Sequence, residues 1–87
     1  MKQIFKYPLK ATDIQNIYLP KGAEILSVQV QFDRPCLWAL VNHNNENENR
    51  IIITHGTGHI VNEESIKFID TYQLANGTLV FHVFEKI

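Results

Sequence analysis

The chain has 87 residues, eight Lys/Arg against nine Asp/Glu, and one cysteine. One domain, residues 1–87, is expected at that length. The near-zero net charge excludes binding to a nucleic-acid polymer by bulk charge, although it leaves a local basic pocket open. A lone Cys36 excludes an intramolecular disulfide and fits a reducing compartment. No stretch approaches the ~20 apolar residues of a membrane helix. The start, Met1-Lys2-Gln3-Ile4-Phe5-Lys6, has no apolar run suited to a signal peptide. The expected location is therefore the cytoplasm, a host cytoplasm in the setting argued below, with no membrane partner.

Strand signals dominate from the start. Ile4 to Leu9 reads as a first strand, with Phe5, Tyr7 and Leu9 on one face and Pro8 marking an edge or an end. Ile14 to Leu19 reads as a second, stopped by Leu19-Pro20-Lys21-Gly22. The clearest alternation follows. Leu26, Val28, Val30 and Phe32 are expected to point one way and Ser27, Gln29 and Gln31 the other. Asp33-Arg34-Pro35 then predicts a turn. Cys36 to Val41 is apolar on both faces and too short for a typical helix, which predicts a covered strand and a hairpin with its predecessor.

Residues 42 to 49, Asn-His-Asn-Asn-Glu-Asn-Glu-Asn, contain no apolar side chain and predict a mobile loop. Arg50 to Thr54, with its Ile51-Ile52-Ile53 run, resumes the strand pattern. The segment 62–65 is the one place that could start a helical turn. Ile66 to Leu74 predicts a strand in which Ile66, Phe68, Tyr72 and Leu74 share a face. Asp70 falls on that same face, and a β-bulge that rotates it outward is the first explanation, ahead of a lysine or arginine partner or a ligand site. Asn76-Gly77 predicts a tight hairpin turn, and Thr78 to Glu85 a central or doubly covered strand. The sum is an all-β domain of about seven antiparallel strands, in a small sandwich or barrel.

His55-Gly56-Thr57-Gly58-His59 is the candidate site. Two glycines two apart let successive N–H groups curl toward an anion, and the threonine and imidazoles add donors. The segment lacks the Gly-Lys-Ser/Thr ending of a phosphate loop, and a plain tight turn with solvent-facing histidines explains it better than a nest does. His55 and His59 with His82 or His43 could offer zinc three nitrogens. The His-x3-His spacing groups rings only on a helix, which the glycines disfavour, so no metal or other cofactor is expected. Cys36 beside Pro35 suits a buried structural thiol, and His82 between Phe81 and Val83 suits a half-buried imidazole. Ser27 and Ser65 lack a nucleophile-elbow context, and no catalytic residue is assigned. Tyr18 and Trp38 each interrupt a simple strand pattern; a place in the core is the first reading for both, and stacking on a base the second.

Several stretches together carry a resemblance. They are Ile4-Phe5-Lys6-Tyr7-Pro8-Leu9, Leu19-Pro20-Lys21-Gly22-Ala23, Ile25-Leu26-Ser27-Val28-Gln29-Val30-Gln31, Pro35-Cys36-Leu37-Trp38-Ala39-Leu40-Val41, Gly56-Thr57-Gly58-His59 and Phe81-His82-Val83-Phe84. The chain resembles a family of small uncharacterised proteins of bacteriophage genomes and prophages. That resemblance implies a counter-defence role. One such class, the sponges, sequesters nucleotide second messengers of bacterial immunity without cleaving them, commonly as homo-oligomers. On this reading Gly56, Thr57 and Gly58 hold phosphate, His55 or His59 add donors, Arg34, Arg50 or Lys21 supply charge, and Trp38 or Tyr18 stack on a base. Two other readings stay open. One is a protein–protein module that docks through its edge strands, as a virion component or a host-protein inhibitor. The other is a histidine-based phosphodiesterase using His55 or His59.

Overall fold

A computed structural model describes residues 1–87. Seven strands form two antiparallel sheets: β1 (Gln3–Pro8), β2 (Ile14–Pro20), β3 (Glu24–Gln31), β4 (Arg34–Val41), β5 (Asn47–Gly56), β6 (Ile66–Leu74) and β7 (Leu79–Lys86). One sheet has the order β1-β4-β3 and the other β2-β5-β7-β6. No helix is long and apolar enough to cross a membrane.

One cluster joins the facing sides of the two sheets. Val28, Leu37, Ala39 and Val41 come from the three-stranded sheet, and Ile17, Leu19, Ile52, Tyr72 and Val83 from the four-stranded one. Alternation puts these side chains inward because each strand presents every second residue to the same face. The arrangement is a sandwich rather than a closed barrel. β4 and β7 are central, as their apolar faces predict, and β1 with its Pro8 lies at an edge.

Two bulges alter the expected phasing. In β3 the register slips between Ile25 and Ser27, so Leu26 turns outward and is 43% exposed while Ile25, Val28 and Val30 face the core. In β6 it slips between Phe68 and Asp70. Phe68 therefore points away from the core face that holds Tyr72, and the shared face expected for Ile66, Phe68, Tyr72 and Leu74 is split. An added residue reverses the side-chain alternation on one side of the bulge. The bulge expected to turn Asp70 outward turns Phe68 outward instead, and Asp70 stays on the inner side, where hydrogen bonds satisfy its carboxylate. Its carboxylate accepts the Val28 N–H at 3.1 Å and the Gln29 side-chain amide at 3.3 Å, which ties β6 to β3 across the gap between the sheets.

Other expectations move by a few residues. The β3–β4 turn is Phe32-Asp33, with φ of 52° and 61°, and Arg34 and Pro35 already belong to β4. Such a two-residue turn with both φ positive matches the twist of a hairpin. The polar stretch 42–49 is a loop only to residue 46, since Asn47–Asn49 pair with Tyr18–Pro20 of β2. Backbone pairing needs no apolar side chain, which is why composition hid it. Residues 62–65 form no helical turn. The β6–β7 connection contains three successive positive-φ residues, Ala75, Asn76 and Gly77, so Asn-Gly does mark the hairpin, within a longer turn than expected.

Candidate ligand-binding site

The His55–His59 segment leaves the end of β5 and leads into a strap, residues 57–65, that crosses the outer face of the four-stranded sheet. Its backbone donors are largely spent. The Gly56 N–H donates to His59 Nδ1 at 3.3 Å, the Thr57 N–H to the Val80 carbonyl at 3.2 Å, and the His59 N–H to the Gly56 carbonyl at 3.1 Å. The His59 ring folds over Gly56 so closely that a Cβ there would meet it at 3.0 Å. Gly58 has φ +89°, the left-handed conformation that the turn requires. An anion nest needs free N–H groups, and here the turn's own closure uses them.

The side chains around this turn are paired as well. His55 Nε2 lies 2.8 Å from Glu63 Oε1, which fastens the strap to β5. The Glu63 carboxyl is held below its ordinary value by its own backbone N–H and then by His55. His82 sits opposite His55 on β7, with Nε2 2.7 Å from Thr57 Oγ1 and Nδ1 3.0 Å from Thr71 Oγ1. No group of three or more His, Cys, Asp or Glu side chains is placed to hold a metal ion.

The remaining predicted residues separate. Arg50 faces inward and its guanidinium grips Glu85 with two hydrogen bonds while donating to the Ala23 carbonyl at 2.9 Å. The Glu85 hydrogen bond raises the Arg50 pKa above its ordinary value. Arg50 is thus a strut between β5, β7 and the β2–β3 turn. Tyr18 stands 64% exposed on edge strand β2, on the outer face of the four-stranded sheet. Trp38 and Arg34 lie on the outer face of the other sheet, four residues apart along β4.

That last face gathers residues that sequence reasoning did not connect. Pairing places Lys6 of β1 opposite Trp38, and Gln31 of β3 opposite Arg34. A cleft of about 470 Å³ opens among Lys6, Pro8, Gln31, Phe32, Asp33 and Arg34. Lys6 Nζ donates to Gln31 Oε1 at 2.8 Å, and neither Lys6 nor Arg34 has a carboxylate partner. Phe32, expected in the core, caps the hairpin at 92% exposure with a positive φ. A bulky residue at such a φ is strained, and strain of this kind concentrates at binding sites. The sequence signal that could have found it is the aromatic directly before Asp33-Arg34-Pro35.

The fold defines a small all-β domain of sandwich type. The chain belongs to the family described as Domain of unknown function (DUF7352), whose profile matches residues 1–87. No curated protein and no solved structure matches it.

Proposed function

We propose that the protein binds a nucleotide-type phosphate ligand on the outer face of its three-stranded sheet and holds it without cleaving it. The observation that carries this reading is the pair of cations, Lys6 and Arg34, that lack carboxylate partners and flank one cleft beside the exposed Phe32 ring. Charge-assisted donors and a planar guanidinium suit phosphate oxygens. Phe32 at the tip and Trp38 on the same face suit a base. Gln31, whose side-chain oxygen already meets Lys6, lines the same cleft and keeps its amide N–H for the edge of a base.

Binding rather than turnover is supported by His82, whose imidazole meets the Thr57 hydroxyl on one side. Its imidazole is oriented by a second neutral hydroxyl, Thr71, where a nucleophilic relay uses a carboxylate. In the bacteriophage setting that the resemblance implies, such a protein sequesters a nucleotide second messenger of bacterial immunity in the host cytoplasm. The exposed Phe32 also favours a second reading, an anchor that docks in a pocket of another protein.

Calorimetric titration with ADP-ribose, nucleoside diphosphates and cyclic dinucleotides decides between them. The expected result is binding to one class, weakened at least ~10-fold by Lys6→Ala or Arg34→Ala, with the ligand recovered intact. No binding across the panel sinks the proposal in favour of the protein anchor, and a converted product sinks it in favour of catalysis.

A further inference from the structure

The outer face of the four-stranded sheet carries an apolar row across its whole width. Register puts Ile14, Ile53, Phe84 and Phe68 side by side on strands β2, β5, β7 and β6. The Phe68 and Phe84 rings meet edge to face at 5.6 Å. The next row along is Asn16, Ile51, Lys86 and Ile66. Ile53 is covered by the strap, but Ile14 is 63% and Phe68 54% exposed. The strap adds Ile60 and Val61, both exposed, to the same side.

We infer that this face is the interface of a homodimer, in which the sheet and strap of one chain pack on those of a second copy. Three observations select a second copy as the occupant. The first is charge. The two rows contain no carboxylate and a single cation, Lys86, so the face can meet itself without like-charge repulsion. The second is complementarity at the border. Glu64 of the strap and Lys86 border the same hollow with no ion pair of their own, while Glu63 is already held by His55, so a two-fold axis leaves Glu64 and Lys86 as the opposite charges that two copies can exchange. The third is area. The chain exposes 5892 Å² at 10.1 kDa. That is roughly 600 Å² more than a compact monomer of its mass exposes, and a standard interface buries about 800 Å² per partner. The ligand cleft lies on the other sheet, so dimerisation leaves it open, and the two proposals stand or fall separately.

Sedimentation equilibrium of the full chain tests the inference. The wild type is expected to be a dimer at about 100 µM and to dissociate on dilution. Ile14→Glu and Phe68→Glu, each placing a charge in the apolar row, are expected to weaken association at least ~10-fold. Ile4→Glu, on the outer face of the opposite sheet, is expected to leave it unchanged. Hydrogen exchange on the wild type supplies a readout that needs no variant, since strap and β2 amides gain protection as concentration rises. A wild type that is monomeric throughout overturns the inference. So does dissociation by Ile4→Glu but not by Phe68→Glu, or a monomer whose strap is protected only by a different protein.

Discussion

The Asp70 carboxylate accepts the backbone N–H of Val28 at 3.1 Å, from a strand that belongs to the other sheet. Val28 is fully buried. Asp70 also accepts its neighbour's N–H, from Thr71, at 2.9 Å. The residue therefore satisfies main-chain donors on β3 and β6, each the edge strand of its sheet, where the ladder supplies a partner on one side only. Asp70→Ala is expected to destabilise the fold by about 2 kcal/mol, because a buried donor is left unpaired. For a domain of this size that lowers Tm by roughly 10 °C. A thermal melt with an unchanged midpoint would show that water replaces the carboxylate.

Arg50 and Glu85 make a second internal tie, and its prediction separates structure from ligand binding. Both side chains are largely covered, so removing one leaves the other charge poorly solvated. Arg50→Ala is expected to cost about 2–3 kcal/mol of stability, read from chemical denaturation. Affinity for any ligand of the Lys6–Arg34 cleft should not change in the folded fraction. A selective loss of affinity with stability intact would return Arg50 to the binding site.

The extent to which this architecture is legible in the sequence follows from how each contact is encoded. Alternation in Phe5-Tyr7-Leu9 and the doubly apolar Cys36–Val41 run report burial directly, and those strands lie where the pattern puts them. Leu26 and Phe32 continue the period of Val28 and Val30 perfectly, yet one sits at a bulge and the other in a turn. A bulge has no side-chain signature of its own, so hydrophobic period cannot reveal it; the out-of-place Asp70 carboxylate points to the other bulge but not to its effect, which leaves Asp70 inside and turns Phe68 out. The face proposed for a ligand is half legible. Arg34 and Trp38 share a side by spacing along one strand, whereas Lys6 and Gln31 reach them only through pairing with β1 and β3. The His55–His59 turn drew attention for its glycines, and its N–H groups prove to be closing the turn itself.

The His55–Glu63 contact makes the strap sensitive to acid. Glu63 is held below its ordinary carboxyl value of 4.5. A carboxyl with a lowered folded value contributes its ordering fully above the unfolded value and loses it as pH falls through the folded one. Amide exchange in residues 57–65 is therefore expected to accelerate as pH drops below about 4.5, relative to exchange in β7. Glu63→Gln should flatten that step. An identical acid profile in wild type and variant would mean that the strap is held by other contacts.

Cys36 is 2% exposed and its Sγ lies 3.5 Å from the Arg34 carbonyl, under the floor of the proposed ligand cleft. A buried thiol is a small apolar filler rather than a nucleophile. The native protein is expected to react with a thiol reagent only at the rate of unfolding, and Cys36→Ala to keep ligand affinity while losing about 1 kcal/mol of stability. Rapid labelling of the native chain would place the cleft deeper than its present shape.

Phe32 offers the sharpest division between folding and function. Its φ of 52° suits glycine or asparagine, and its ring touches solvent over nearly its whole surface, so neither conformation nor packing favours a phenylalanine there. Phe32→Gly relieves the left-handed strain and is expected to stabilise the hairpin by about 1 kcal/mol, raising Tm by several degrees. The same substitution removes the ring from the rim of the Lys6–Arg34 cleft, and affinity for the nucleotide ligand should fall at least ~10-fold. A residue that costs stability and serves recognition gives opposite signs in the two measurements. If Phe32→Gly raises Tm and leaves affinity untouched, the ring has no part in ligand binding, and the protein-anchor reading takes its place.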